Sequence, residues 1–233
     1  MRTFAALLVK ETKALFVSPI AYAVIAVFLL IMGYTFTATL FLSKTATLIH
    51  DFFQAAMLLL LIAPVITMRL FAEERRSGTL ELLLSCPVGE IQIVLAKFLA
   101  SMGVIVAMLA LTLPHPITLQ IFGDPDWGPV YGGYLGLLLL GGALTSLGLA
   151  VSALTANQIV AATVSLGLFL LVWMLDTLGS LLPDPYDTVV INLSLLAHFT
   201  PLATGALYLS DLGFFATLIL AGLLLSVRAL ARR

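Results

Sequence analysis

Few side chains in this sequence could do chemistry. The 233 residues include 11 Lys and Arg, 12 Asp and Glu, three His and one Cys. An ATP-hydrolysing loop needs Gly-Lys-Ser or Gly-Lys-Thr, because the lysine reaches the phosphates while backbone amides hold them. The four lysines follow Val9, Thr12, Ser43 and Ala96, so the sequence has no such loop. We therefore expect no cofactor in this chain, and any ATP and magnesium ion to be bound by a partner.

The remaining reactive side chains predict neither a metal site nor an enzyme. His50, His115 and His198 lack the short spacing of a local chelate, and the single Cys86 excludes an internal disulfide. Asp176, beside an apolar run, is either a solvated residue at a helix end, which we favour, or a substrate or proton site. No nucleophile and base fall together within an apolar run, so we expect no catalytic residue.

Composition predicts a membrane protein. Hydrophobic residues make up 61% of the chain and charged residues 10%, whereas a soluble domain carries roughly 25% charged residues. Because about 20 apolar residues cross a bilayer, we predict an all-α polytopic fold in which residues 1–233 form one membrane-spanning domain. The six predicted transmembrane helices cover residues 19–42, 52–70, 91–113, 132–155, 159–182 and 212–230.

Two further segments interrupt this pattern of spans. Residues 1–18 place apolar side chains at helical spacing between charges, which predicts an amphipathic helix on the membrane surface, ended by Ser18-Pro19. Residues 188–210 are uncharged but contain Pro201, which lacks a backbone donor. We expect this segment to form two half-length re-entrant helices that meet near Pro201, before the last span.

The distribution of lysine and arginine predicts the orientation. With both termini in the cytoplasm and six crossings, only Lys44 lies outside, as expected in an inner membrane. Lys97, near the inner end of the third span, should extend its ammonium group to the cytoplasm. The basic residues assigned to the cytoplasm are Arg2, Lys10, Lys13, Arg69, Arg75, Arg76, Lys97, Arg228, Arg232 and Arg233.

The segment between the second and third spans carries the densest charge. Gly78 permits a sharp bend, Glu81 falls in the first turn of a short helix, and Pro87 ends that helix. Residues 73–87 are therefore predicted as a cytosolic coupling helix with an apolar ridge that docks in a groove of a partner; the other interpretation is a solvated inner loop. The leucines of the ridge are Leu80, Leu83 and Leu84.

Small residues follow one another along the fourth span. Gly132 and Gly136 form a Gly-x-x-x-Gly motif, and glycine, serine and threonine continue to Gly148. Such a run is typical of close helix packing, either within one chain or across a dimer. The motif is short, so general glycine usage in membrane helices explains it equally well.

The coupling segment resembles a known signature. From Met68 through Ala-Glu-Glu-Arg-Arg-Ser-Gly-Thr-Leu-Glu-Leu-Leu to Pro87, it resembles export-type ABC permeases of the second class. It is most similar to the gliding-motility branch and its nitrous-oxide-reductase maturation relatives. The likeness continues through Ser18-Pro19-Ile20-Ala21-Tyr22, Pro125-Asp126-Trp127-Gly128-Pro129, Asn157-Gln158-Ile159 and His198-Phe199.

The resemblance implies a permease that works with other chains. A second permease, identical or a paralogue, pairs with it, and both dock on cytosolic ABC ATPase subunits that drive export. An accessory protein with an outer-face domain is a further candidate partner; lipid surrounds the spans, and no nucleic acid is expected. A non-transporting scaffold that transmits ATPase motion to an outer-face partner is the alternative function. The coupling contact would be made by Glu73, Glu74, Arg75, Gly78, Thr79 and Glu81.

Overall fold

The described part of the chain is helical throughout. A computed structural model describes residues 2–43, 46–85, 88–183 and 186–231. These ranges contain twelve α-helices and no strand, which confirms the predicted all-α class. The helices are α1 (Arg2–Val17), α2 (Pro19–Ser43), α3 (Ile49–Thr67), α4 (Ala72–Arg76), α5 (Thr79–Ser85), α6 (Glu90–Leu111), α7 (Pro114–Phe122), α8 (Trp127–Leu154), α9 (Gln158–Gly179), α10 (Tyr186–Ile191), α11 (Leu195–Ala203) and α12 (Leu209–Ala231).

Six helical segments within the described ranges are long and apolar enough to cross a membrane. Their composition confirms a polytopic membrane protein, because a water-soluble fold could not cover so many apolar helices. The apolar side chains of α2 and α9 are largely exposed, as expected for helices that face lipid. The six segments are Pro19–Leu42, Ile49–Arg76, Glu90–Phe122, Trp127–Leu154, Gln158–Gly179 and Leu209–Ala231.

Helix α8 lies at the centre of the fold and packs against α3, α6, α9, α11 and α12. Its small residues allow this close approach. A Cβ atom on Gly141 would lie 3.0 Å from Ile105 of α6, and one on Gly142 would lie 2.9 Å from Ile219 of α12. Gly222 of α12 likewise faces the backbone of α8. The small-residue run therefore serves helix packing within the chain.

Helix α8 begins at Trp127, five residues before the predicted start at 132. Asp126 is the N-cap, and its Oδ1 accepts a hydrogen bond of 3.0 Å from the N–H of Gly128. A capping carboxylate satisfies one of the amide groups that the first helical turn leaves free. The capping interaction therefore extends the helix through the aromatic residues that precede the apolar run.

The segment before the last helix contains two short helices, α10 and α11, but they meet at residues 192–194 and not near Pro201. Ser194 is the N-cap of α11, and its Oγ accepts the N–H groups of Leu196 and Ala197. Pro201 lies inside α11, where its missing N–H removes one backbone bond. Gly205, with φ +91°, ends the helix: its N–H donates to Leu202, and that of the next residue donates to Pro201.

Candidate functional site

The charged segment between α3 and α6 is here named the elbow and comprises residues 68–85. It is divided into two short helices, α4 and α5; residues 86 and 87, at the end of the predicted coupling helix 73–87, lie outside the described ranges. The division falls at Gly78, whose φ of +71° suits glycine. Next to it, the hydroxyls of Ser77 and Thr79 are 2.8 Å apart, and Thr79 also donates to the carbonyl of Glu74. These bonds hold the bend.

Two contacts fasten the elbow to the end of α8. Ser152 Oγ accepts hydrogen bonds of 3.1 Å from the backbone N–H groups of Phe71 and Ala72, at the start of α4. The guanidinium of Arg75 donates to the carbonyl of Ala153 at 2.9 Å. The N–H groups that the first turn of α4 leaves free thus bond to a serine of α8, and a carbonyl that the last turn of α8 leaves free bonds to an arginine of α4.

A buried ion cluster, formed by Glu11, Glu74 and Lys97, joins the elbow to α1 and α6. Lys97 Nζ lies 2.9 Å from Glu11 Oε2 and 2.8 Å from Glu74 Oε1, and its side chain is 2% exposed. The ammonium group also lies 5.2 Å from the ring centroid of Phe71. Lys10, which is exposed, approaches Glu11 Oε1 at 3.2 Å. The expectation that Lys97 extends to the cytoplasm was wrong, because two carboxylates provide its partners inside the protein.

The same cluster borders a cavity of about 380 Å³ between α1 and the elbow. On the opposite wall, Arg69 forms an ion pair of 3.1 Å with Glu73 and donates to Ser18 Oγ at 2.7 Å, at the break between α1 and α2. Charged groups that are removed from water need partners. Here the partners come from separate parts of the chain, so α1, α4, α6 and the turn before α4 are linked through side chains.

Part of the elbow is exposed to solvent. Leu80, expected in a docking ridge, is instead 2% exposed and belongs to an interior cluster with Leu7, Phe71 and Ile93. Only part of the ridge is therefore available to a partner. Three of the elbow's exposed residues, Glu73, Ser77 and Thr79, also border the cavity. The exposed face of the elbow is defined here as Glu73, Arg76, Ser77, Gly78, Thr79, Glu81, Leu82 and Ser85.

The site residues that the sequence predicts divide between these two surfaces. Glu73, Gly78, Thr79 and Glu81 lie on the exposed face of the elbow, whereas Glu74 and Arg75 point inward to Lys97 and Ala153. Sequence reasoning missed three contributors: Glu11, Lys97 and Ser152. The signal that could have found Lys97 is its position inside an otherwise apolar helix, where a charge requires a partner.

The opposite end of the molecule, here named the far end, has its own polar pair. His198 Nδ1 of α11 lies 2.7 Å from Asp211 Oδ1 of α12, and His198 Nε2 lies 3.0 Å from the carbonyl of Asn192. The imidazole also stacks on Phe214 with ring centroids 4.0 Å apart. Within the described ranges, no group of three His, Cys, Asp or Glu residues is placed to hold a metal ion. The pair joins α11 to α12.

Six helical segments that are long and apolar enough to cross a membrane define a multi-pass membrane protein. The chain belongs to the ABC-2 family of transporter proteins, whose family model matches residues 9–202. It is accordingly the membrane permease subunit of an ABC transporter. Permeases of this family are not themselves catalytic and associate with an ABC ATPase. A search of the curated proteins finds no match to this chain.

Proposed function

We propose that this chain is the permease of an ATP-driven exporter, of the gliding-motility and nitrous-oxide-reductase-maturation type. In this proposal, the exposed face of the elbow docks on a separate cytosolic ATPase, which binds ATP and magnesium. The observation that carries the proposal is the construction of the elbow: an exposed polar face on one side and, on the other, a buried ion cluster and the Ser152 contacts. A segment that transmits force needs both an accessible contact and a rigid attachment.

The proposed orientation places the elbow and both termini in the cytoplasm. Within the described ranges, the lysines and arginines lie on α1, on the elbow, near the start of α6 and at the end of α12. Lys44, which the sequence assigns to the outer side, lies outside those ranges. Positive residues resist translocation, so this asymmetry favours an inward elbow. The basic residues on these elements include Lys10, Lys13, Arg69, Arg75, Arg76, Lys97 and Arg228.

The proposed mechanism is mechanical. Closure of two ATPase subunits on ATP would push the elbows of two paired permeases, which are identical chains or paralogues. Because α4 is bonded to α8 and linked by charge to α1 and α6, the push would reach three helices at once. Opening then requires two arrangements of the spans, with the ATP-bound partner favouring one of them.

The docking contact can be tested with a charge reversal on the exposed face. Glu81→Lys should lower the amount of ATPase that copurifies with the permease at least tenfold. The lysine would face an ATPase surface that complements a glutamate, and this repulsion should cost more than about 1.4 kcal/mol of binding free energy. Asp124→Lys is the matched control, since Asp124 is exposed at the far end. Equal recovery of the ATPase with both variants would refute docking through this face.

The orientation can be tested by thiol labelling in a Cys86→Ser background. Ser77→Cys places a thiol on the exposed face of the elbow, and Asp124→Cys places one between α7 and α8. An impermeant reagent should label Asp124→Cys in intact cells and Ser77→Cys only in inverted membrane vesicles. Labelling of Ser77→Cys from outside would contradict a cytoplasmic elbow.

A further inference from the structure

One buried carboxylate takes no part in the elbow or in the pairing of α11 with α12. Asp51 lies in the first turn of α3 and is 3% exposed. Neither Oδ1 nor Oδ2 has a hydrogen-bond partner among the described residues, and each is sealed from solvent. Asp211, which is buried to a similar degree, has His198 at 2.7 Å. Asp51 therefore differs from Asp211 in having no hydrogen-bond partner among the described residues.

The residues around Asp51 are mostly apolar, and their polar groups make contacts elsewhere. The hydroxyls of Thr112 and Tyr134 are 3.0 Å apart and bond to each other, and the ring of His115 stacks on that of Phe36 with centroids 4.4 Å apart. These residues come from four helices: α2 supplies Phe28 and Met32, Thr112 is the C-cap of α6, α7 supplies His115 and α8 supplies Tyr134. The titratable groups that face Asp51 are Tyr34, His50, His115 and Tyr134.

The cavity between these residues has a volume of about 10 Å³, enough for at most one water molecule. A hydrated metal ion or an organic ammonium group cannot enter so small a space. An ionised carboxylate without water, a donor or a cation costs several kcal/mol to bury, whereas a neutral carboxylic acid costs much less. A proton fits the space and, by bonding to the carboxylate, removes the charge.

We propose that Asp51 is a proton-binding site, which carries its proton in this packed arrangement and releases it when the far ends of α2 and α3 separate. A second cavity, of about 290 Å³, lies directly beside Asp51 on the α2 side. It is bordered by Tyr34, Thr35, Thr39 and Gln54, whose polar groups can hold water. Asp51 itself borders this space, but both of its carboxylate oxygens are covered. A small shift of α2 would expose them to it, so the open arrangement is favoured when protons are scarce at the far end.

The site can be tested by infrared spectroscopy on the full-length chain in lipid nanodiscs, without any ATPase. At neutral pH, we expect the carbonyl-stretch band of a protonated carboxylic acid, shifted by ¹³C-labelled aspartate. Asp51→Asn should abolish that component, and Asp124→Asn, at an exposed carboxylate, should leave it unchanged. Absence of the band at neutral pH, or its persistence in Asp51→Asn, would overturn the proposal. Neither result depends on docking through the elbow.

The melting temperature of Asp51→Asn gives a second test, which also shows whether this variant is folded. Asparagine matches a neutral carboxylic acid in size and polarity, so Asp51→Asn should shift the melting temperature by no more than about 2 °C. Asp211→Asn, which weakens the contact with His198, should lower it further. A large loss of stability in Asp51→Asn alone would show that Asp51 is ionised and paired, and would equally overturn the proposal.

Discussion

The buried ion cluster gives the sharpest test of how the elbow is attached. Lys97→Met removes the one buried cation between Glu11 and Glu74 and leaves two carboxylates with side chains 7% and 18% exposed. Breaking a buried ion pair by deleting one partner costs about 3 to 5 kcal/mol. Lys10, whose side chain is 58% exposed, can offset about 1 kcal/mol of this loss. We therefore expect a net loss of about 2 to 4 kcal/mol.

That loss corresponds to a fall in melting temperature of roughly 4 to 16 °C for a chain of this size. Thermal unfolding of the purified protein, followed by tryptophan fluorescence, measures it. Lys10→Met is the matched control and should lie within about 0.5 kcal/mol of the parent protein. A triple variant, Glu11→Gln, Glu74→Gln and Lys97→Met, should recover most of the loss, because no charge remains buried. Equal melting temperatures for Lys97→Met and Lys10→Met would refute the reasoning.

Two more substitutions use the same thermal assay. Gly222→Ala brings a methyl group against Ser146 of α8 and should cost about 1 to 3 kcal/mol, while Gly213→Ala, on the same helix with open space around it, should be neutral or slightly stabilising. Equal effects would argue against close packing. Ser152→Ala leaves the first N–H groups of α4 without an acceptor and should cost about 1 to 3 kcal/mol, whereas Ser180→Ala, at an exposed serine, should change little. Equal effects of the two would contradict attachment of the elbow through Ser152.

The fold class could be predicted because long apolar runs without charges admit few structures. The start of α8 and the meeting point of α10 and α11 could not, because each depends on a capping side chain, Asp126 and Ser194. Caps contribute about 1 kcal/mol, and hydrophobic patterning does not report them. The prediction that the two helices meet near Pro201 was wrong because a short helix tolerates the loss of one backbone hydrogen bond, and Pro201 lies inside α11.

The exposed half of the candidate site could be located from the charge density of the elbow, but the buried half could not. Glu11 and Lys97 are separated by 86 positions, and only the folded structure brings them together. The sequence showed a lysine in an apolar helix without showing its partner. Leu80 illustrates the same limit: an apolar ridge on a short helix can face a partner or the interior, and the pattern is identical in both cases.

Helix α8 has 28 residues and is about 42 Å long at 1.5 Å per residue. One of its ends is bonded to Arg75, and Gly136 near the other packs on Phe199 of α11. Both surfaces of the bilayer are thus connected through one continuous backbone, and no relay of side chains across the hydrocarbon layer is required. A tilt imposed on this helix at Arg75 would therefore be expected to displace α11, which packs against its other half.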